Sequence, residues 1–533
     1  MQHLDDQSDG LLHDLIQDRE FKAALASKKT IASLPQELVA EIVSYLTHDA
    51  THGASILCNK RTLQYRDHVE HRSRMYTLCL TSKPFLAAAR RQLYKTAVFA
   101  ADNEPTTEGI DEKPGQKSMV LFFRTLLENP CLRPLVQSVF SGCDLTARAF
   151  GRENVNGDKV FDFWVDKSLD MRIASRQDHR ILSTLNLTTP ENDFQMPSTY
   201  PCPLQKYIKT TGTPGSVYLG ILMLSQQITA IGFPVTCAHL QSDGLVGRVL
   251  ENCSTPKVVL DQILMRPEIA QGFLKNLEQV QVMDGHKHDI ENGSTIQEPI
   301  GSYNLFVTKL VNYTRVRALA VGWNWFRGPL PSSIKKLDVT DTTMQARDIQ
   351  QIASCTHVEE LGLILVRMSN FPAGAGHDLI NNNLAPLAAT LRSLEIDLCF
   401  NLKPRTERTA LGAPRRVHCL GNFQQLTRLA ITARALFGPS FLLEPDDFPG
   451  FLPRSLEHLD IRNFKESVRR RDGVNQWLHD LLVSVAEASG NQLPHLESVE
   501  IEAAQLSRRS LVFVRLNRLR RNFNRNSVRM TTY

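Results

Sequence analysis

Several features that would settle the class of this chain at once are missing from it. Its ten cysteines, scattered from Cys58 to Cys419, include no C-x-x-C pair and no zinc-ribbon spacing. They read as reduced thiols, mostly small buried hydrophobes, rather than as a disulfide framework. The longest apolar run, Val217 to Leu224 (VYLGILML), is eight residues, where a spanning helix needs about 20. The opening MQHLDDQSDG has neither the basic nor the apolar region of a secretory signal. These absences predict a cytoplasmic or nuclear chain with no membrane partner. No GxGxxG, Walker loop, GxSxG or HExxH is present, and Asp284-Gly-His-Lys-His288 offers only two histidines in a polar loop. No catalytic residue, cofactor or metal ligand is assigned on that basis. Acidic residues are missing after Glu502, while eight arginines follow it (508, 509, 515, 518, 520, 521, 525, 529). Taking those eight charges from the net of +5 leaves −3 for the rest, which argues against nucleic-acid binding by a whole basic face.

What is present is ordinary globular material. The 533 residues are 42% hydrophobic and 22% charged, which excludes a collagenous, coiled-coil or wholly disordered chain. At about 150 residues per domain this length predicts three or four domains, unless a repeat array stretches one of them.

Residues 1–30 form a polar extension. Ser33-Leu-Pro-Gln36 then makes an S-x-x-Q capping box, with Leu38, Val39, Ile42, Val43 and Leu46 recurring behind it at helical spacing. A second apolar segment, Tyr76–Leu80, precedes Ser82, which can cap a third helix carrying Phe85, Leu86, Ala89 and Leu93. Leu93–Phe99 has extended character. Helices this short bury only a small core, so the module is expected to present apolar surface to something else.

The strings ASLPQELVAEIVSYL and YTLCLTSKPFLAAARRQLYKTAVF resemble the F-box domain, in the form common among fungal F-box proteins. Leu34, Pro35, Glu37, Leu38, Ile42 and Leu46 match the first half of that pattern. Leu78, Ser82, Lys83, Phe85, Leu93 and Tyr94 match the second. Phe85 stands where the family often has tryptophan, and the loop Thr47–Arg74, with Cys58, His68 and His71, is longer than the family's. His68 and His71 lie one helical turn apart, so this loop reads as a solvated insertion in which zinc is the minor alternative. The resemblance implies docking to a Skp-type adaptor and, through it, to a cullin–RING ubiquitin ligase. Leu34, Pro35, Leu38, Ile42 and Leu80 would then be buried at that interface. The alternative for each is the module's own core, which suits Ile42 and Leu46.

Residues 100–118 read as an acidic linker rich in Pro and Gly. A helix is expected from Met119, strand character within Leu132–Phe140, and a helix over Val217–Ile231. Residues 141–215 are poorly patterned.

From Leu277 onward a pattern L-x-x-L-x-L recurs eight times, starting at Leu277, Val316, Ile334, Val358, Leu391, Leu426, Leu456 and Leu496. The starts are 18 to 40 residues apart. This resembles a leucine-rich-repeat array, although it is longer and less regular per repeat, with the expected Asn or Cys only at Asn324 and Cys399. The predicted fold class is therefore α/β: a small all-α F-box module over 31–99, with an inserted loop at 47–74, then a solenoid. That solenoid is an irregular leucine-rich-repeat-like horseshoe over 119–506, followed by a basic capping segment over 507–533. Alternation along each strand turns Lys336, Asp338, Glu360, Glu395, Asp397, Arg428, His458, Asp460, Arg462, Glu500 and Glu502 outward. Seven of these are acidic and three basic, which favours a basic client. Trp323 and Trp325 fit either packing beneath a loop or a binding hot spot. The Arg-rich tail fits either the solvated side of a capping helix or a site for an acidic partner. Together the two resemblances imply a non-catalytic substrate-recognition subunit of an SCF-type ubiquitin ligase whose solenoid binds an unknown client. The alternative is an interaction scaffold that works outside any ligase.

Overall fold

The computed structural model describes residues 35–45, 63–81, 83–99, 114–142, 214–225, 227–235, 275–284, 316–321, 330–340, 343–344, 346–368, 380–399, 417–437, 445–462, 473–489, 491–501, 520, 523 and 528–532. Three helices come first: α1 (Gln36–Tyr45), α2 (Leu63–Thr81) and α3 (Leu86–Lys95), the last preceded by a 3₁₀ turn at Lys83–Phe85. The Pro35 carbonyl accepts the first helical bond, from Val39 N at 3.1 Å, so Pro35 lies just ahead of the helix, where its lack of an N–H costs nothing. Val39 and Val43 meet Met75 of α2 and Ala88 and Ala89 of α3 in a small core. The apolar stripe expected on α1 is thus split, with Val39 and Val43 inward and Leu38 and Ile42 on the outer side.

The remaining strands lie in one sheet. They are β1 (Thr96–Phe99), β2 (Ser138–Ser141), β3 (Ala230–Val235), β4 (Gln279–Asp284), β5 (Ala318–Val321), β6 (Lys336–Thr340) and a two-residue β7 (Thr343–Met344). Then follow β8 (Glu360–Met368), β9 (Ser393–Cys399), β10 (Arg428–Thr432), β11 (His458–Arg462), β12 (Ser498–Ile501) and β13 (Arg529–Thr532). Twelve of them pair in strict chain order, all parallel, and β7 pairs beside β8. The sheet runs open from β1 to β13, so the chain is mixed α/β.

The same turn leads into most of the strands. The Arg317 carbonyl accepts both Lys335 N (2.7 Å) and Lys336 N (2.9 Å), and the Glu359 carbonyl accepts Arg392 N and Ser393 N at 2.7 and 3.1 Å. Gln137, Thr229, Glu278, Lys335, Arg392, Thr427 and Glu457 repeat this shared acceptance. From β3 to β12 each step of the main path is therefore hooked to the one before it by two backbone bonds. For β2 and β13 the carbonyls of Lys95 and Glu497 accept one bond each, from Gln137 N and Arg529 N. These bonds satisfy polar groups that the turn would otherwise bury.

One face of the sheet carries the core. Val139, Ile231, Val280, Leu319, Leu337, Leu361, Leu394, Leu429, Leu459 and Val499 follow one another across the strands and are buried in a single cluster. Helices α4 (Pro114–Glu128), α5 (Pro214–Leu224), α6 (Ala346–Ala353), α7 (Ala433–Phe437) and α8 (Gly473–Ala488) contribute to it through residues such as Met119, Tyr218, Ile349, Leu436 and Leu481. Each fully buried aliphatic side chain contributes about 1.5–3 kcal/mol. The close approach of α5 to α4 depends on Gly220, where a Cβ would come within 2.7 Å of the Phe123 ring. Tyr94, at the end of α3, leaves the helical core and stacks on Phe122, with centroids 6.0 Å apart, joining module to sheet.

The structure corrects several expectations. Within the span expected as a solvated insertion, residues 63–74 belong to α2, and His68 is buried there, which a loop residue would not be. The linker expected over 100–118 ends early, because α4 starts at Pro114. Val217–Ile231 is not one helix. It breaks after Leu224, and Ile231 enters β3, where Ile231 and Phe233, two residues apart, both join the core cluster as a pleat allows. In Leu132–Phe140, the segment Pro130–Leu135 is a 3₁₀ turn held by its two prolines, and the strand starts only at Ser138. The sheet also begins before residue 119, at Thr96, and the tail expected as a cap ends in the strand β13. Residues 1–30, Leu34, Cys58, Trp323, Asn324, Trp325, His286, His288, Glu502 and Arg508–Arg518 lie outside the described residues.

Candidate functional site

Two surfaces carry unusual chemistry. The first is on the helical module. Leu38 is 46% exposed, Tyr76 57% and Leu80 69%, and Val69 and Leu86 are exposed as well. Val69, Tyr76 and Leu80 fall on one side of α2 at intervals of seven and four, since residues so spaced recur on one helix face. Of the residues expected at an adaptor interface, Pro35, Leu38 and Leu80 are exposed and Ile42 is half-buried. Val69 is not marked in the sequence, because the surrounding α2 residues are mostly polar, and Tyr76 stands out there only as the start of the apolar segment Tyr76–Leu80. On the side of α2 that carries Met75, seven residues on, into the core, burial lowers the His68 imidazole from its usual 6.5 to about 4, with the positive charges of Arg72 and His71 adding to the fall.

The second surface is the outward face of the sheet. Strand register aligns Gln281, Ala320, Asp338, Gly362, Glu395, Ala430, Asp460 and Glu500 in one row from β4 to β12. A neighbouring row carries Lys336, Glu360, Ser393, Arg428 and His458. Further along the strands, Arg462 is the register partner of Thr432, and Asp397 lies two residues beyond Glu395, on the same side. The structure thus brings Asp338, Glu395, Asp397, Arg428, Asp460 and Arg462 onto one face.

The geometry within the row is specific. Asp338 leans over Gly362, where a Cβ would stand 2.4 Å from Asp338 Oδ1. Arg462 reaches back across Ala430: its Nη1 donates to Glu395 Oε1 on β9, and its Nε to Asp460 Oδ2 at 2.6 Å. Lys336 Nζ lies 3.4 Å from Glu360 and 3.9 Å from Asp338, so its pairing with Asp338 is the looser one. Burial pushes the Asp338 carboxyl up from the usual 3.8 to about 6; Lys336 opposes this, and Glu395 and Glu360 reinforce it. At the other end of the row the face is buried. Phe140 is fully buried beside Gly232, where a Cβ would lie 2.4 Å from the ring. Gln281 is also fully buried, and neither atom of its amide has a hydrogen-bond partner. His458 Nδ1 lies 2.8 Å from the Ser498 hydroxyl, so it is occupied within the face.

Among the described residues, no group of three or more His, Cys, Asp or Glu is placed to hold a metal ion. Among them too, no helix is long and apolar enough to cross a membrane. No family model matches the chain, and no curated protein matches it.

Proposed function

We propose that this chain is a substrate-recognition subunit of an SCF-type ubiquitin ligase. The helical module acts as an F-box that docks to a Skp-type adaptor, and the sheet region acts as a leucine-rich-repeat-like solenoid that holds a client. The observation that carries this reading is the exposure of Leu38, Tyr76 and Leu80 on a small helical module joined to an open parallel sheet. Apolar side chains this exposed on a module with so small a core favour a partner that covers them. Strict chain order in the sheet supports the solenoid reading, because each repeat then contacts only its neighbours. The chain needs no catalytic residue for this role. Holding client and conjugating enzyme on one scaffold raises the effective concentration of client lysines near the transferable ubiquitin.

The test is co-purification of the full chain with a recombinant Skp-type adaptor. Wild type should retain the adaptor, and Leu38→Asp combined with Leu80→Asp should lose it, since a carboxylate at an apolar interface is costly to desolvate. Equal recovery by both would overturn the adaptor role and leave an interaction scaffold outside the ligase.

A further inference from the structure

The outward row repeats one arrangement twice. A carboxylate, a residue with little or no side chain, and a second carboxylate lie on three successive strands: Asp338–Gly362–Glu395, then Glu395–Ala430–Asp460. The second is filled from within the chain. The Arg462 guanidinium spans Ala430 and binds both flanking carboxylates. Among the described residues the first has no such occupant, and the cation that salt-bridge geometry brings nearest, Lys336, sits closer to Glu360 than to Asp338. Arg462 engages Oε1 of Glu395, which leaves Oε2 for a group on the Gly362 side.

Two further polar side chains on this face are buried without hydrogen-bond partners. Gln281 is 0% exposed with both amide atoms unsatisfied, and it stands two strands from Asp338, about 10 Å away at the usual strand spacing. Thr432, 4% exposed and beside Arg462, has an unsatisfied hydroxyl. Buried polar groups in folded proteins nearly always have partners. By register, the outward face across β6–β12 also carries six carboxylates (Asp338, Glu360, Glu395, Asp397, Asp460, Glu500) against four permanent cations (Lys336, Arg367, Arg428, Arg462). The missing charge is positive.

We propose that this face recognises a basic segment of a partner protein, seating an arginine or lysine side chain over Gly362 between Asp338 and Glu395 as Arg462 is seated over Ala430. This rests on reading the sheet as the client-binding part of the chain, and is independent of adaptor docking. Arg462 acts as an internal stand-in for the ligand, so removing it opens a second seat. The Asp338 carboxyl, with Lys336, Glu360 and Glu395 around it, loses its charge below about pH 6, so the seat weakens as the solution is acidified.

The experiment is fluorescence anisotropy on the full chain at physiological salt, with a fluorescein-labelled peptide of alternating arginine and serine as the probe. Its control is the same peptide with citrulline in place of arginine. The arginine peptide should bind and the citrulline peptide should bind at least about tenfold more weakly. Asp338→Asn should weaken arginine binding about tenfold, and Arg462→Ala should strengthen it by about threefold or more. Glu278→Gln removes one negative charge from an exposed turn of the same sheet and should stay within about twofold of wild type. The proposal is overturned if wild type does not bind the arginine peptide, if citrulline binds equally, or if Asp338→Asn and Glu278→Gln lose the same amount. A chain that passes the adaptor test and fails this one keeps its ligase role and loses this site.

Discussion

Replacing Asp338 with asparagine should make the protein more stable while weakening its outward face as a cation site. The side chain is only 16% exposed, and its carboxyl rises from the usual 3.8 to about 6. Each unit of such a rise corresponds to about 1.4 kcal/mol between the two protonation states. Ionised Asp338 therefore costs the fold up to about 3 kcal/mol. The sign follows from the raised value: the fold has its full stability below pH 3.8 and loses this part of it as the pH climbs through 6. In urea unfolding followed by circular dichroism, Asp338→Asn should exceed wild type by up to about 3 kcal/mol at pH 7.5. The gap should narrow to about 1 kcal/mol at pH 4.5, where wild-type Asp338 is largely protonated in the folded protein. A variant equal to or weaker than wild type at pH 7.5, or a gap that does not shrink on acidification, would refute the assignment of a strained carboxylate. Because the expected change in stability is a gain, loss of peptide binding by this variant cannot come from misfolding.

The remaining predictions concern other parts of the chain. Gly232→Ala should cost roughly 1–3 kcal/mol by pressing a Cβ into the buried Phe140 ring. Gly362→Ala should cost less in the same urea assay, because the Asp338 carboxylate it meets can swing away. The helical module has the opposite pH response to Asp338: His68, lowered from 6.5 to about 4, takes its proton more readily unfolded. Module stability should thus fall by up to about 3 kcal/mol between pH 6.5 and 4. Hydrogen exchange across α1–α3 should show this loss, and His68→Leu should remove it. Phe523→Ala, at a fully buried position near the last strand, should cost about 3–5 kcal/mol. Exchange should then accelerate in β12 and β13 while β1–β6 stay protected, and uniform acceleration would contradict a sheet held by neighbour contacts.

The sheet was legible where its side chains alternate cleanly. All eight L-x-x-L-x-L segments lie at strands, β4 to β6 and β8 to β12, because a buried residue at every second position is the direct imprint of a pleat. Strand β3 was hidden: Ala230–Val235 follows the apolar run of α5 after only five residues, and its own apolar residues can be read as a further turn of the same helix. Strand β13 was hidden for the opposite reason, since its segment RMTT has one strongly apolar residue and follows a stretch dominated by arginine. The N-terminal part of α2, before the apolar segment Tyr76–Leu80, was missed because it buries His68 in a polar stretch where an aliphatic residue would have announced the face. The charges of the outward face could be read from alternation, but the pairing of Arg462 with Glu395 could not. It depends on which residue of β10 lies between them, and register across strands far apart in sequence is a property of the fold.

The doubly accepting carbonyl at the turns into β3 through β12 has a consequence for how this chain can change over evolutionary time. Along that path it locks each strand to its predecessor without regard to the stretch of chain that separates them, whether that stretch is as short as the one between β5 and β6 or as long as the one between β2 and β3. Segments between strands are thereby free to lengthen, shrink or be exchanged while Asp338, Glu395 and Asp460 keep their places opposite one another. Such a chain can acquire new loops for new tasks without redrafting the face it already has.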